Sequence, residues 1–248
     1  MFTREVGEKM SRRAERRKQR EVAQRNRRLA FIAIVAVAAI AIVVILIRQG
    51  SPAAFTGSVV VPTPIDAPNV QGTAMGDPNA PVRVDEYSDY QCPYCRQFQE
   101  NTLPLLAANE IANGQVYFVY HPFSFIGQES RDAANAAYCA NDQGKFWEYS
   151  ETLFANQAGE NAGTFSQSML LALGDALNLD MTSFKTCVSG NQHKAEVDQA
   201  YAQGVAAGVK STPSFVINGK LVLGALPYDQ FQAQIQSAMG QPQVSPTP

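Results

Sequence analysis

The chain has 248 residues, 46% of them hydrophobic and 17% charged, with 20 basic and 22 acidic side chains and four cysteines. That length permits one large domain or two small ones, and the apolar content excludes a wholly disordered chain. Four cysteines are too few for a disulfide-scaffold miniprotein, and a formal net charge of -2 excludes a chain that is strongly basic throughout.

The charges are segregated along the chain. Residues 1–48 carry 12 Lys/Arg against 4 Glu, a net of +8, and residues 49–248 carry 8 against 18, a net of -10. The basic residues cluster at Arg12, Arg13, Arg16, Arg17, Lys18, Arg20, Arg25, Arg27 and Arg28. Directly after them, Leu29 to Ile47 is a run of 19 residues without a polar side chain. As a helix it would span roughly 28 Å, close to a bilayer's hydrocarbon thickness. A buried core helix would be shorter or carry polar punctuation. A cleavable signal peptide would have a shorter apolar region and a clearer cleavage site than Ser51-Pro52-Ala53-Ala54. An uncleaved transmembrane signal anchor over 29–47 fits best. The positive-inside rule then keeps the basic tail, residues 1–28, in the cytoplasm and sends the rest outside. The tail is expected to meet anionic membrane lipid. It lacks the interleaved aromatics and the module of a nucleic-acid binder, so no nucleic-acid partner is expected.

Residues 48–73 read as a linker, with the small and proline-rich character persisting to about Asn79. Val59 to Val61 could pair as a short edge strand before Pro62 stops it. One domain is expected over 74–239, followed by a disordered tail over 240–248. Within the domain, Val82–Tyr87 reads as a buried strand and Pro93–Asn109 as a helix with proline in its first turn. Val116–Tyr120 is a second strand, β-branched and aromatic. A helical block of about 126–209 follows, in five stretches ending with Lys194–Val209. Pro213–Ile217 and Leu221–Leu223 flank Asn218-Gly219, a strong hairpin signal, and Tyr228–Met239 closes as an amphipathic helix. The order is a small α/β sheet interrupted by a helical insertion.

Cys92-Pro93-Tyr94-Cys95 follows a strand and opens a helix. There the first sulfur meets unpaired N–H groups and the positive end of the helix dipole, which lowers its pKa. The three-residue offset lets Cys95 close a small disulfide ring, so the pair suits a reversible redox switch with Cys92 as the attacked sulfur. Zinc is the rival reading of any C-x-x-C, but no second cysteine pair or paired histidine follows at a suitable spacing. His121 and His193 stand alone and receive no role, and no metal is expected. Cys139 and Cys187 lie 48 residues apart in the helical block. In an oxidising compartment they are expected to form a structural disulfide, constraining the unfolded chain by about 4 kcal/mol. The alternative is two buried thiols acting as small hydrophobes. Glu86, six residues before Cys92, is placed to take the proton of the buried sulfur if it is desolvated beneath the pair. It would otherwise be an ordinary surface charge. Phe146, Trp147 and Tyr149 read as core, and Thr212-Pro213 opens a strand where an X-Pro bond of special geometry is plausible.

The segments VRVDEYSDYQCPYC, GKFWEYSETLFANQ and STPSFVINGK-LVLGALPYDQF together resemble the DsbA-type thiol:disulfide oxidoreductases of the thioredoxin superfamily, in particular their membrane-anchored, BdbD-like branch. The likeness covers about residues 72–239. It implies a thioredoxin-like fold with a helical insertion and an enzyme that places disulfides in exported proteins. By position it implies that Cys92 is the nucleophile and Cys95 its buried partner, with Glu86 the acid beneath them. Pro93 and Tyr94 are the intervening active-site residues, with Tyr94 standing where the strongest oxidants have histidine. Pro213 is implied as a cis-proline facing the disulfide and Thr212 as a backbone contact for substrate. The implied partners are unfolded or reduced exported proteins and a quinone-coupled membrane thiol oxidase, DsbB-like or VKOR-like. No cofactor is implied. Two rivals remain at this level: a tethered thiol reductase or isomerase serving cytochrome maturation or disulfide repair, and a non-catalytic client-binding module.

Overall fold

A computed structural model describes residues 31–43 and 55–240. Residues 31–43 form an exposed helix, α1. The rest of the expected membrane span, residues 29–30 and 44–47, lies outside the described residues, as do the basic tail and residues 241–248. Among the described residues no helix is long and apolar enough to cross a membrane.

Residues 55–240 are built on five strands: β1 (Ala74–Met75), β2 (Val82–Ser88), β3 (Val116–Pro122), β4 (Ser214–Ile217) and β5 (Lys220–Leu223), in spatial order β1-β3-β2-β4-β5. β2 and β3 run parallel in the centre, and the other neighbours pair antiparallel. The parallel pair is joined through α2 (Pro93–Asn101) and α3 (Leu103–Leu106), as a parallel pair requires. The β4–β5 hairpin turns at Asn218 (φ 44°) and Gly219 (φ 87°), the two left-handed positions of a type I′ turn. Between β3 and β4 the insertion runs through α4 (Gln128–Asn141), α5 (Phe146–Ala155), α6 (Gln167–Ala176), α7 (Met181–Ser189) and α8 (Lys194–Ala206). The chain closes with α9 (Tyr228–Ala238).

Three local features differ from the sequence expectation. The helix expected over Pro93–Asn109 divides at Thr102 and runs on through a π-helical turn, Ala107–Ile111. Pro104 carries no N–H for the Glu100 carbonyl, so the regular ladder breaks there, and Ala112 N–H reaches back five residues to Ala107 O at 3.0 Å. β1 has no counterpart in the expectation, because two residues leave no readable period. The stretch expected as a linker is docked from Val59 onward. Val59, Ile65 and Ala67 pack on the core. Asn156 holds the backbone of Val60 through two hydrogen bonds, accepting at 2.9 Å and donating at 2.7 Å. The Ile65 N–H donates to the Glu151 carboxylate at 3.2 Å. Val59 to Val61 form no strand.

Residue alternation gives the central strand two buried faces. Val82, Val84 and Glu86 of β2 face the larger core with Phe118 and Tyr120 of β3 and Phe215 of β4. Phe98 of α2 sits at the centre of that core, with ring centroids 4.5 Å from Phe215, 5.3 Å from Phe231 and 6.4 Å from Phe118. Phe146, Trp147 and Tyr149 are also buried in it. Tyr87 of β2 faces the opposite way, into a smaller cluster with Phe123, Val209 and Val216. Here α8 comes so close that a Cβ on Gly204 would lie 2.4 Å from the Phe123 ring, which accounts for glycine at that position. His121, given no role from sequence, pairs with Asp85 at 2.8 Å, and Asp85 also holds Arg83 at 2.6 Å. Burial opposes charge on Asp85, but these two partners hold its pKa below the usual carboxylate range.

Phe98 touches three rings and is fully buried. Phe98→Ala is expected to cost about 3–5 kcal/mol of stability, read as a lowered urea midpoint at unchanged slope.

Candidate active site

Cys92 is the N-cap of α2, and Pro93 occupies the first turn, where its missing N–H removes no helical bond. The loop before it is shaped by Asp89, whose carboxylate accepts from the N–H groups of Gln91 (2.9 Å), Phe125 (3.0 Å) and Ile126 (3.1 Å) and from Ser130 Oγ (2.5 Å). From the insertion, Gln157 Nε2 donates to the carbonyls of Tyr90 (2.7 Å) and Cys92 (3.1 Å). These two side chains tie the cysteine loop to the β3–α4 connection and to the end of α5. Asp89 carries a sequence signal, an acidic residue two before a turn amide. Gln157, 65 residues away from Cys92, carries none.

Cys92 and Cys95 are both thiols. Their surroundings differ sharply. The Cys92 pKa is lowered to about 6, first by hydrogen bonding from Cys95 and then by the backbone N–H groups of Cys95 and Tyr94 at the helix start, against the opposing effect of burial. Its Sγ lies 3.4 Å from Thr212 O. Cys95 is fully buried, and desolvation together with the neighbouring Cys92 pushes its pKa well above the ordinary thiol value. Tyr94 is 64% exposed, whereas Cys92 beside it is only 5% exposed. The Thr212-Pro213 bond is cis. It places the Thr212 carbonyl beside Cys92 at the start of β4, while Thr212 Oγ1 is buried with no protein partner.

Glu86 is fully buried on β2, between Tyr120 of β3 and Phe215 of β4. Gln99 of α2 donates to its Oε2 at 2.8 Å, and Oε1 has no hydrogen-bond partner. Desolvation raises the Glu86 pKa to about 8, with a further upward push from Cys92. The carboxyl is therefore protonated near neutral pH and can exchange its proton. Tyr90 closes the cluster, sharing a 2.8 Å hydrogen bond with Ser150 of α5 and lying 5.6 Å from the Tyr120 ring. The structure thus gathers Cys92, Pro93, Tyr94, Cys95, Glu86, Thr212 and Pro213 at one end of the central strands.

Cys139 and Cys187 lie elsewhere, joined by a disulfide that links α4 to α7 with Cα atoms 5.8 Å apart. His193 packs near it, 2.8 Å from Asp142 Oδ2. With the sulfurs bonded to each other, this group presents no thiolate for a metal.

A thioredoxin family model matches residues 68–237. The chain belongs to the thioredoxin family. It is 25% identical over 176 residues to disulfide bond formation protein D of Bacillus subtilis, an alignment covering 69% of this chain and 79% of the relative. It is 28% identical over 188 residues to Na(+)/H(+) antiporter NhaA 1 of Salinispora arenicola, covering 76% of this chain. There the chain spans only about a quarter of the relative's length, 27%. Among solved structures, oxidised BdbD from Bacillus subtilis superimposes with a TM-score of 0.63 at 24% identity, over 68% of this chain and 92% of that one.

Two measurements check the electrostatics. Thiolate absorbance of the reduced protein should titrate with a midpoint near pH 6. Cys95→Ala removes the largest cause of the lowered value, so the midpoint should climb toward the ordinary thiol value of about 8.5. For Glu86 the folded pKa of about 8 lies above the ordinary value of 4.5, so folding binds a proton and stability is lost as pH rises between these values. Glu86→Gln should therefore gain stability relative to wild type from about pH 4.5 upward and level off above about pH 8, in urea titrations of the reduced protein.

Proposed function

We propose that this chain is a membrane-anchored, extracytoplasmic thiol:disulfide oxidoreductase that introduces disulfides into exported proteins through the Cys92–Cys95 pair. The observation that carries this is the asymmetry of the two sulfurs, one at the helix start with its pKa near 6 and one fully buried with its pKa raised. A stabilised thiolate favours the reduced form of the pair and so makes its disulfide the better oxidant.

In the working cycle the enzyme begins as the Cys92–Cys95 disulfide. A substrate thiolate attacks Cys92 Sγ, forming a substrate–Cys92 disulfide, and the Cys92–Cys95 bond breaks with the electron pair on Cys95. The buried Cys95 thiolate takes a proton, for which Glu86 is the adjacent donor. A second substrate thiolate then attacks the substrate sulfur of the mixed disulfide. The substrate leaves with a new disulfide, and Cys92 departs as a thiolate. The chain ends as the dithiol, and two electrons have passed to it. Thr212, beside Cys92 and next to the cis bond, offers backbone groups to an extended substrate segment.

A membrane thiol oxidase coupled to quinone, DsbB-like or VKOR-like, is the partner that returns the pair to the disulfide. The segregated charge and the 19-residue apolar run support an anchor over 29–47 with residues 1–28 cytoplasmic. On this reading the catalytic domain spans 74–239, carries the insertion of about 126–209, and is followed by a tail over 240–248. The segment 48–73 then connects span to domain, docked along α5 over its second half. The anchor holds enzyme and oxidase on one surface, which raises their effective concentration. The resemblance and the sulfur asymmetry favour oxidation over the reductase direction.

Cys92→Ser and Cys95→Ser should each abolish oxidation of a reduced, unfolded test protein, and the lone Cys92 thiolate of Cys95→Ser should instead attack a disulfide-bonded peptide, release one peptide thiol and stay trapped as a mixed disulfide resolvable by dithiol. Equilibration of the pair against glutathione should give a potential well above the roughly −270 mV of thioredoxin. A value at or below that level would overturn the oxidase direction.

A further inference from the structure

Three buried polar atoms on one face of the central strands lack a well-formed hydrogen bond: Glu86 Oε1, Ser88 Oγ and Tyr120 Oη. Strand geometry puts them together. Ser88 follows Glu86 by two residues and so shares its face, and the parallel register sets Tyr120 opposite Glu86. Each of the three residues is at most 1% exposed. Buried polar groups are nearly always paired, so three such atoms beside one thiol call for an explanation.

The surrounding groups are committed elsewhere. Gln99 of α2 is fixed on Glu86 Oε2 at 2.8 Å, Tyr90 shares its hydroxyl hydrogen bond with Ser150 at 2.8 Å, and Cys92 Sγ lies on the Thr212 carbonyl at 3.4 Å. Ser88 is not committed. Its hydroxyl interacts with the Glu86 carboxyl, the Cys95 thiol and the Tyr120 hydroxyl, and in the dithiol form it is well bonded to none of them. A serine hydroxyl both donates and accepts, and it turns about one bond. It is therefore suited to link a carboxyl to a sulfur.

We propose that Ser88 is the proton-relay residue of the Cys92–Cys95 exchange, its hydroxyl bridging the Glu86 carboxyl and the Cys95 sulfur. This rests on the oxidoreductase reading above. When the Cys92–Cys95 bond breaks and Cys95 takes the electron pair, Ser88 passes its hydroxyl proton to the sulfur. Glu86 passes its carboxyl proton to Ser88 Oγ. The outcome is a Cys95 thiol, an unchanged Ser88 and a Glu86 carboxylate. Reoxidation runs the two transfers backward. Tyr120 Oη completes the polar enclosure from the neighbouring strand, and no further reactant is needed.

The test compares full-length wild type with Ser88→Ala, Ser88→Thr, Glu86→Gln and the Ser88→Ala/Glu86→Gln double variant. The rate at which each oxidised protein is reduced by a dithiol peptide is followed across pH 5 to 9. Ser88→Ala should slow the reaction at neutral pH by roughly ten- to a hundredfold, and Glu86→Gln by a similar factor. The double variant should be no slower than the slower single one, because both act on one proton path. Ser88→Thr keeps the hydroxyl and should recover most of the rate. The thiolate midpoint of Cys92 should stay near pH 6 in Ser88→Ala, which separates a relay from a general disturbance of the site. A wild-type rate in Ser88→Ala, multiplying losses in the double variant, or no recovery in a Ser88→Thr protein of wild-type urea midpoint would each overturn the relay. These failures are distinguishable from failure of the oxidoreductase reading, in which Cys92→Ser itself would leave oxidation undiminished.

Discussion

The site depends on a difference in solvation between two sulfurs three residues apart. Cys92 stands at the helix start, where backbone N–H groups and a neighbouring thiol supply the hydrogen bonds that a thiolate needs. Cys95, one turn on, is wholly enclosed, and a charge there has little to replace its water. The helix sets the spacing and the core sets the difference. Neither sulfur's chemistry follows from its residue type alone.

Holding that difference takes a large share of the fold. The parallel β2–β3 pair carries Glu86, Ser88 and Tyr120 into the space beneath Cys95. The cis bond before β4 brings the Thr212 carbonyl over Cys92. The helical insertion does more than cover the sheet. Its α5 supplies Ser150 to Tyr90 and, just beyond its end, Gln157 to the carbonyls of Tyr90 and Cys92. The same helix anchors the docked segment around residues 60–65 through Asn156 and Glu151. The Cys139–Cys187 disulfide ties α4 to α7 within this insertion.

Much of this was legible in the chain because it is local. Pro93 after Cys92 marks a helix start, Asn218-Gly219 marks a hairpin, and alternation marks the strands. The closeness of Cys92 and Cys95 was readable for the same reason, since helix geometry alone brings residues three apart together. Other features depend on distant partners. Gln157 shows no motif, and His121 gains its partner Asp85 only across two strands. The break at Thr102 was written in Pro104, but the π-helical turn after it, flanked by the buried Leu106 and Ile111, carries no local mark. The small, proline-rich composition of residues 55–73 reads as a spacer, yet Val59, Ile65 and Ala67 find an apolar surface to cover.

By itself the sequence determined the segregation of charge, the apolar run after it, most of the strand–helix order and the Cys92-x-x-Cys95 spacing at a helix start, because these rest on short-range pattern and on covalent neighbours. Only the tertiary structure decided that Glu86 is buried, that Cys95 is dry and that Ser88 and Tyr120 sit beside them. Burial is a property of what packs around a residue, and those neighbours come from strands and helices scattered over more than a hundred positions.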